Sequence, residues 1–432
     1  MCRILRQPTK NKPLRSLKNF RRLFEKHPDL IFLSRQWAIR THNAIRGWAA
    51  HNKLYLDDNE DAAFLDPIFQ RYLEAPIVIR RDKRLRVLTY RWHSPHQYEL
   101  YRSGHEFTLV TGAGTSLCDN WDWDKRPLPR NARFLPAERI NLRDYDLAIL
   151  HFDENVLHPD RCRGFVPSDW GQTLRWFMAN VSLPKIAICH GTPQFAGQYD
   201  CNYTAPDIGE IDETARLELV QLMRDVLVIC NSHQALAEWG FHHAKTIWHG
   251  FSPHEFPQLG SGDRVLTMLG AALENRPHYN GLSVVQRIQH SLGNDVAITK
   301  LVVPQPDKNL LPDPHAFAEA KFRRYVRAVG SHGIYLNPTL RSPMPRSRGE
   351  AMMLGLVSLS MRNHDVDLFI RNGVNGFFAD DANELAEHIR YLIQNPSARE
   401  RMAAASRQTA LDLFNQDRYL AEWSKVFDEI VK

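Results

Sequence analysis

Residues 336–360 read LNPTLRSPMPRSRGEAMMLGLVSLS, the pattern of a strand end, a proline-rich turn, an apolar helix and a second strand. Three arginines stand around the turn, Arg341, Arg346 and Arg348, and Glu350 follows in the predicted first turn of the helix. Free N–H groups at a helix start attract phosphate, and guanidinium groups add charge-assisted hydrogen bonds. We interpret the stretch as an anion site in which Glu350 accepts the two hydroxyls of a ribose. The alternative is that Glu350 only interacts with the helix dipole.

Short apolar runs typical of buried strands alternate with helix-length segments along most of the chain. The runs begin near residues 84, 107, 146, 185, 226 and 245 in the first half, and near 264, 298, 333 and 356 in the second. Such alternation predicts parallel, doubly wound sheets. A segment rich in Gly, Pro and Ser, residues 249–264, separates the two series. The sequence therefore predicts an α/β protein with two Rossmann-like domains that face a cleft.

The positive charge of the chain is concentrated at its start. Residues 1–50 hold twelve Lys or Arg against Glu25 and Asp29, whereas the whole chain has a net charge of +6. A basic arm indicates a polyanionic partner, either an anionic membrane surface, a lipid-linked phosphate or nucleic acid. Bulky apolar residues interleaved with the cations favour a membrane over nucleic acid. The alternative is a basic helix pair that packs on the body of the protein.

The composition indicates a cytoplasmic protein without a disulfide framework. The longest nearly uninterrupted apolar run, AMMLGLVSL, is shorter than the roughly 20 residues that span a bilayer, and the start lacks the apolar core of a signal peptide. The six cysteines contain no CxxC pair. We expect a cytoplasmic location, at the inner face of the membrane if the basic arm binds lipid.

The second half of the chain carries the more specific motifs. Residues 333–405 contain GIYLNPTLRSPMPRSRGEAMMLGLVSLS and then NGVNGFF, and the first half contains KIAICHGTP, VLVICNSHQALAEWG and TIWHGFSPHEF. Together these stretches resemble the family 4 retaining glycosyltransferases of GT-B fold, over roughly residues 84–432. The resemblance implies transfer of a sugar from a nucleoside diphosphate sugar, with a UDP- or GDP-sugar as co-substrate and no other cofactor.

The resemblance assigns roles to residues of this chain and divides it into segments. Glu350 matches the glutamate that holds the nucleotide ribose, and His190 matches a histidine near the transferred sugar; these are the implied catalytic residues. Asn231, Gly250 and Gly349 match positions of the donor site. The implied segments are a basic helical extension over 1–83, an acceptor domain over 84–255, a nucleotide-sugar domain over 256–405, and a C-terminal helix over 406–432 that returns to the acceptor domain.

Several positions depart from the family pattern. Ser342 stands where the family has a glutamate that contacts the donor sugar, and Ala271 and Asn280 replace the arginine and lysine that grip the diphosphate. Arg276, His278 and the three arginines of the 336–360 stretch are the cations available instead.

The glycine-rich loop expected after the first strand is replaced by YRWHSPHQYELYR. Its His93, His96 and Gln97 are placed to contact an acceptor sugar, and the alternative is a packed aromatic cap.

A metal site is the rival hypothesis for the diphosphate. Asp122 and Asp124 have the DxD spacing of metal-dependent glycosyltransferases, but they lie in a loop rich in Trp, Pro and Asn instead of at a strand end. His151, Asp153 and His158 form no compact ligand motif. We therefore expect no metal.

The sequence predicts a metal-independent, retaining glycosyltransferase that acts on a hydroxyl of a glycan or lipid-linked acceptor. One alternative is a catalytically silent relative that binds a nucleotide sugar or glycan, which Ser342 and the missing cations favour. Another is a glycosyltransferase that modifies DNA, which the basic arm favours. The base, sugar, acceptor and oligomeric state stay open.

Overall fold

The computed structural model describes residues 84–157, 171–193, 213–269, 273–274 and 277–431. The basic arm, the predicted extension over 1–83, Arg276 and His158 lie outside these ranges. The described strands are β1 Arg86–Thr89, β2 Glu106–Thr111, β3 Ala132–Pro136, β4 Leu147–Phe152, β5 Lys185–Cys189, β6 Leu227–Cys230, β7 Ala244–Thr246, β8 Val265–Leu269, β9 Ile298–Leu301, β10 Ile334–Asn337, β11 Val357–Met361 and β12 Gly376–Ala379. The described α-helices are α1 Ser94–Tyr101, α2 Gly171–Asn180, α3 Glu213–Leu222, α4 His233–Trp239, α5 Pro277–Asn280, α6 Leu282–Leu292, α7 Pro314–Gly330, α8 Arg346–Leu354, α9 Val366–Phe369, α10 Ala382–Gln394, α11 Pro396–Leu413 and α12 Gln416–Ile430.

The strands form two parallel sheets, as the alternation of apolar runs and helices predicts. The first has the order β3-β2-β1-β4-β5-β6-β7 and the second the order β12-β11-β10-β8-β9. We call each sheet with its packed helices a lobe, the N-lobe and the C-lobe. The strand order reverses between β1 and β4 in the N-lobe and between β8 and β10 in the C-lobe. Ligands of doubly wound sheets bind outside the carboxyl ends of the strands at such points.

Three elements differ from the sequence-based expectation. Strand β3, ARFLP, is interrupted by a charged residue and partly exposed, and strand β12, GFFA, is apolar but only four residues long, so periodicity alone does not reveal either strand. The segment after β1 contains a helix that the pattern of the sequence does not predict, α1. Pro95 occupies the first turn of α1, where a missing N–H costs nothing and the fixed φ favours the helix. His96, Tyr98 and Tyr101 therefore project from a helix, whereas Trp92 and His93 precede it.

The lobes are joined by the linker and by the last helix. The linker between β7 and β8 includes the Gly/Pro/Ser-rich segment that separates the two strand series in the sequence. Helix α12 follows the C-lobe helices but packs on the N-lobe sheet through Tyr419, Leu420, Trp423, Val426 and Phe427. Gly250 allows this approach, because a Cβ at that position would collide with the Tyr419 side chain. The boundaries of the four predicted segments stay a prediction.

None of the helices in the described ranges is long and apolar enough to cross a membrane.

A buried ionic network connects the two lobes. The Arg126 guanidinium, 2% exposed, donates to Glu99 on α1 at 3.1 Å and to Glu255 in the linker at 3.0 Å. The same guanidinium lies over the Phe322 ring of the C-lobe helix α7, 3.4 Å from its centroid. Burial alone would raise the pKa of Glu255, but the Arg102 and Arg126 guanidiniums outweigh it and hold that pKa below its usual value. Arg126 is therefore the cation on which this junction is built.

A second junction places a C-lobe carboxylate at the start of an N-lobe helix. Asp365 accepts hydrogen bonds from the backbone N–H groups of His233 at 2.7 Å and Gln234 at 3.1 Å. It also accepts from the Trp248 indole at 2.8 Å. Burial would raise the pKa of Asp365, but these donors outweigh it and lower that pKa. Asp365 therefore satisfies free N–H groups of α4 from the opposite lobe.

We expect Arg126→Ala to destabilise the protein strongly. Removing one partner of a buried ion pair leaves uncompensated charge, which costs about 3–5 kcal/mol. Lys300→Ala is the matched control, since Lys300 and Glu274 form a surface pair with side chains 44% and 60% exposed, and such pairs contribute about 1 kcal/mol or less. Thermal and urea unfolding should show a large loss for Arg126→Ala only. Equal stability of the two variants would show that the junction does not depend on Arg126.

Candidate functional site

Polar side chains from both lobes lie at the carboxyl ends of the parallel strands. In the N-lobe, His190 follows β5 and Asn231 follows β6. In the C-lobe, Arg341 and Ser342 follow β10, and Asn363 follows β11. The two lobes meet here, because the Ser232 hydroxyl lies 3.0 Å from the His364 Nδ1 atom. These strand ends form one candidate site that both lobes supply.

Glu350 lies one turn deeper in its helix than the sequence predicts. Helix α8 begins at Arg346, so Glu350 is its fifth residue and not a first-turn residue. Pro345, with φ −58° and ψ 116°, lies directly before the helix, so the helix begins earlier than the apolar pattern suggests. Both carboxylate oxygens of Glu350 have partners: Oε1 accepts from Arg346 at 3.2 Å and Oε2 accepts from the Tyr325 hydroxyl. Glu350 is therefore fixed in place, at 7% exposed.

Arg346 faces the N-lobe from the first position of α8. Its Nη2 atom lies 3.7 Å from Glu99 of the N-lobe and 3.2 Å from Glu350. The guanidinium stacks on the Phe251 ring, 4.8 Å from its centroid. The Nε and Nη1 atoms are buried and have no hydrogen-bond partner. Arg346 thus has unused donors beside the free N–H groups of a helix start.

Arg348 and Gly349 are packed inside the protein. Arg348 is 0% exposed, donates to the Ser360 hydroxyl at 3.3 Å and lies over the Phe369 ring. Burial lowers the pKa of Arg348 to about 10. Gly349 leaves room for the Phe251 ring, which a Cβ would strike. In this structure both predicted donor-site residues therefore support helix α8 from within, and neither faces the N-lobe strand ends.

A group of buried polar atoms without partners surrounds the contact between Ser232 and His364. It comprises Asn231 Oδ1, Asn363 Oδ1, His364 Nε2 and the Nε and Nη2 atoms of Arg341. Arg341 Nη2 lies 3.8 Å from Glu238 of the N-lobe, too far for a hydrogen bond. The Ser342 carbonyl accepts from the Asn363 amide at 2.8 Å, which ties the turn after β10 to the loop after β11. We call Asn231, Arg341, Asn363 and His364 the unpaired group.

His364 has a backbone conformation that non-glycine residues rarely adopt. Its φ of 46° makes it the one non-glycine residue with positive φ among those described. Such strained positions concentrate at functional sites, where the surrounding structure enforces them. Here the hydrogen bond to Ser232 and the neighbouring Asp365 junction hold the residue in place.

Five histidines cluster beside Arg346. They are His93, His96, His151, His190 and His249. The His96 ring lies edge-on to both His190 and His249, with centroids 5.2 Å apart in each pair. Burial is the largest cause that lowers the pKa of His96, His151 and His249 well below the usual value; neighbouring histidines lower it further, and so does Arg346 for His96 and His249. Burial also lowers the pKa of His190 to about 3. We call these residues the histidine cluster; its buried members are neutral at physiological pH.

The predicted acceptor residues occupy three different environments. His93 is exposed and lies at the start of α1, with its ring 6.3 Å from that of His190. His96 is 1% exposed, and its Nε2 atom lies 3.4 Å from the Tyr419 hydroxyl. Gln97 is 0% exposed and bonds only to groups of the N-lobe interior. Gln97 is thus an interior residue, and of the three only His93 is open to solvent.

His249 and Glu99 are parts of the site that the sequence does not single out. His249 donates from Nε2 to the Met344 carbonyl at 3.1 Å, so its buried Nδ1 atom is an unpaired acceptor. The WHGF motif places a histidine in the linker, and its position next to Gly250 is the only signal. Glu99 contacts Arg126 and Arg346 from other segments, and no local pattern predicts such pairs.

The residues of the rival metal hypothesis do not assemble. Asp124 is 60% exposed and pairs with Lys321 at 2.9 Å, and the Asp122 carbonyl accepts from the backbone of Lys125. His151 belongs to the histidine cluster. Among the described residues, no group of three or more His, Cys, Asp or Glu side chains has the geometry to hold a metal ion.

Known proteins share this architecture. Residues 314–424 match a family model described as glycosyl transferase-like. The chain is similar to a glycosyltransferase from Rickettsia africae ESF-5, at 11% identity over 81% of this chain and 99% of that chain, with a TM-score of 0.52. It is similar to Anabaena HepE in complex with UDP, at 14% identity over 80% and 100%, with a TM-score of 0.54. Sucrose-phosphate synthase from Thermosynechococcus elongatus gives 14% identity over 80% and 99%, with a TM-score of 0.52.

These comparisons bear on the fold and on the class of protein. At such low identity the structural similarity shows the fold alone, and a comparison with curated proteins finds no match. The predicted two-domain α/β architecture and the resemblance to glycosyltransferases of GT-B fold are confirmed. The glycosyl transferase-like domain supports the predicted class, a transferase enzyme.

The neutral histidines predict a loss of stability in mild acid. The unfolded chain protonates histidine near pH 6.5, whereas His96 and His249 resist protonation in the folded state, so the unfolded state binds more protons below that pH. Each such histidine lowers the free energy of unfolding by about 1.4 kcal/mol per pH unit below the unfolded pKa. His249→Asn removes one of them. We expect its melting temperature to fall less steeply between about pH 6.5 and pH 5 than that of the unmodified protein.

The control for this comparison is His242→Asn, because His242 is exposed. Its melting temperature should follow the unmodified protein at every pH. Carboxylate titration affects all three proteins alike and cancels in the comparison. Parallel curves for His249→Asn and His242→Asn would contradict the assignment of His249 as a buried neutral group.

Proposed function

We propose that this chain, with its GT-B fold and glycosyl transferase-like domain, moves a sugar from a nucleoside diphosphate sugar to a hydroxyl of a glycan or lipid-linked acceptor. The sugar keeps its anomeric configuration, and the protein supplies no metal. Anabaena HepE, a structural neighbour, has been solved with UDP and with UDP-glucose. UDP-sugars are therefore the first donors to test. A cytoplasmic location and an anionic membrane contact through residues 1–50 stay predictions.

The unpaired group is the observation that carries the proposal. Buried polar atoms in folded proteins almost always have hydrogen-bond partners, and each exception requires an explanation. Here Asn231 Oδ1, Asn363 Oδ1, His364 Nε2 and two Arg341 nitrogens are buried without one, at the strand ends of both lobes. A ligand with many oxygen atoms, such as a sugar diphosphate, offers acceptors to Arg341 and hydroxyl donors to the amide oxygens.

The cations at the site match the charge that sugar transfer develops. When the bond from the sugar to the diphosphate breaks, negative charge collects on the diphosphate. Preorganised donors that point at this charge lower the barrier of the step. Arg341 and Arg346 each have unused buried N–H donors, and the first turn of α8 has no side-chain cap. We assign the diphosphate to these groups, in place of the family cations that Ala271 and Asn280 replace.

Glu350 is assigned to the ribose. Its two oxygens already accept from Arg346 and Tyr325, and each carboxylate oxygen has a further lone pair for a hydroxyl donor. The ion pair with Arg346 also couples the two parts of the nucleotide site, since one guanidinium lies beside both the carboxylate and the helix start. We assign the binding of the sugar hydroxyls and of the acceptor to the histidine cluster on the N-lobe side.

A catalytically silent relative remains the second candidate because of Ser342. A serine hydroxyl is shorter than the glutamate that the family uses on the donor sugar, and it carries no charge. The test is a transfer and hydrolysis assay with UDP-, GDP-, CMP- and dTDP-sugars on the full chain. Turnover of any donor supports the transferase. Binding of a donor without turnover, across a range of sugar acceptors, identifies the silent relative.

We expect Arg341→Ala to weaken the binding of UDP-glucose. A hydrogen bond to a charged group contributes about 1.5–3 kcal/mol, so the dissociation constant should rise roughly 10- to 150-fold. Arg362→Ala is the matched control, because Arg362 pairs with Asp380 on the surface of the same lobe. Calorimetric titration measures both variants. Unchanged affinity in Arg341→Ala would place the diphosphate elsewhere.

Glu350 should act on the ribose and not on the phosphates. We expect Glu350→Gln to reduce the affinity for UDP by about tenfold, the effect of about 1.4 kcal/mol, while the affinity for pyrophosphate stays equal or rises. The comparison uses Glu384→Gln as the control, since Glu384 lies on the surface of α10 with 49% of its side chain exposed. Parallel losses for UDP and pyrophosphate would contradict the ribose assignment.

A further inference from the structure

His190 does not stand alone at the end of β5. Its Nε2 atom lies 3.2 Å from the Nδ1 atom of His151, which is the last-but-one residue of the neighbouring strand β4. His151 is 0% exposed. The Nε2 atom on the other side of the His151 ring lies 3.4 Å from the Thr89 hydroxyl and 3.2 Å from the Gln97 amide nitrogen. A hydrogen bond between two ring nitrogens needs one proton between them. This series of hydrogen bonds therefore restricts which nitrogen of His190 can carry the proton.

The orientation of the Gln97 amide is fixed by backbone groups. Its Oε1 atom accepts from the Trp92 N–H at 2.8 Å, and a backbone N–H can only donate. Its Nε2 atom donates to the Tyr90 carbonyl at 2.8 Å, and a carbonyl can only accept. One Nε2 proton of Gln97 therefore remains. It faces the Tyr101 hydroxyl at 2.9 Å and the His151 ring.

Proton counting then selects the tautomer of His151. Three hydrogens enter the buried group: the remaining Gln97 proton and the hydroxyl protons of Tyr101 and Thr89, which also bond to each other. If His151 Nε2 carries no proton, three acceptor atoms are present for these three hydrogens: the Tyr101 oxygen, the Thr89 oxygen and His151 Nε2. A proton on His151 Nε2 would face the Gln97 N–H and leave one hydroxyl proton without an acceptor. An unsatisfied buried polar group costs about 1–3 kcal/mol, so the bare Nε2 is favoured.

We propose that His151 is a positioning residue that fixes His190 in one tautomer, with Nε2 accepting from His151 and the proton on Nδ1. A neutral His151 with a bare Nε2 carries its proton on Nδ1 and donates it to His190 Nε2. His190 therefore presents an N–H donor through its remaining nitrogen, and not a bare nitrogen. It acts on a ligand oxygen as a hydrogen-bond donor and does not act as a general base.

This inference deepens the proposed function, on which its catalytic meaning rests. If a sugar or diphosphate oxygen lies at His190, the fixed N–H stabilises that oxygen without any proton transfer. The rings of His151 and His190 stay neutral because burial lowers the pKa of both histidines. Thr89, Gln97 and Tyr101 then contribute to the site at a distance, although none of them is exposed.

The test is ring-nitrogen NMR on full-length protein labelled with ¹⁵N-histidine, at pH 7 and without ligand. His151→Asn and His190→Asn identify the two spin systems by their loss. We expect both rings to be neutral and to carry the proton on Nδ1. A proton on Nε2 of His190, or a doubly protonated ring, overturns the proposal. Because this readout needs no turnover, it can succeed even if the transferase assays fail.

Two substitutions of His151 separate positioning from folding. The side-chain amide that His151→Asn introduces can replace the Nδ1 donor, so His190 should keep its Nδ1–H tautomer. His151→Leu offers no donor, and His190 should shift towards the Nε2–H tautomer that free histidine prefers. Melting temperatures report whether each variant folds, and the NMR spectrum of the unmodified protein decides the question if His151→Leu does not. The same His190 tautomer in folded His151→Leu overturns the role of His151.

Discussion

The geometry of the candidate site depends on the ion pairs of the buried Arg126 guanidinium. This guanidinium bonds to Glu99 on α1 and to Glu255 in the linker, and it stacks on Phe322 of the C-lobe. A charge in this position is stable only while its partners stay in contact, because each separated ion would be left in a nonpolar interior. The network therefore favours one relative position of the two lobes. The same Glu99 of helix α1, which also carries His96, lies 3.7 Å from Arg346 of helix α8.

As a consequence, some buried polar groups where the lobes meet have hydrogen-bond partners and others have none. At the Arg126 network and at Asp365 the lobes satisfy each other's charges and free N–H groups. The unpaired group differs, because Asn231 Oδ1, Asn363 Oδ1, His364 Nε2 and two Arg341 nitrogens are buried without a protein partner. The polar groups at the two junctions have protein partners, whereas these buried atoms have none. This part of the interior is therefore suited to bind a polar ligand. The left-handed backbone of His364 at the same place agrees with this view.

The sequence predicts the central strands well because strands buried on both faces are continuous apolar runs, as in β4, β6, β10 and β11, which are buried along their whole length. Strands β7 and β9 are half-buried or exposed at most positions, and only short apolar runs near them indicate their place. The sequence misses β3, whose ARFLP sequence is partly exposed. It also places the start of α8 too late, because apolar periodicity begins only at Gly349, whereas Pro345 and the first turn are polar. Because the Gln97 side chain is polar, the sequence suggests that Gln97 is a surface residue that contacts an acceptor. Its true partners are backbone groups that only the tertiary fold brings near.

The charges around Arg346 set the conditions under which a diphosphate can bind. Arg102, Arg126 and Arg346 stand against Glu99, Glu255 and Glu350, so the ionised network has no excess positive charge. A phosphate that approaches Arg346 must therefore share it with two carboxylates. Arg341, whose nearest carboxylate is 3.8 Å away, is less committed. In the donor site that we propose, the arginine-rich turn would supply one partly free guanidinium, Arg341, and one shared guanidinium, Arg346, so donor affinity would depend on the position of Glu350.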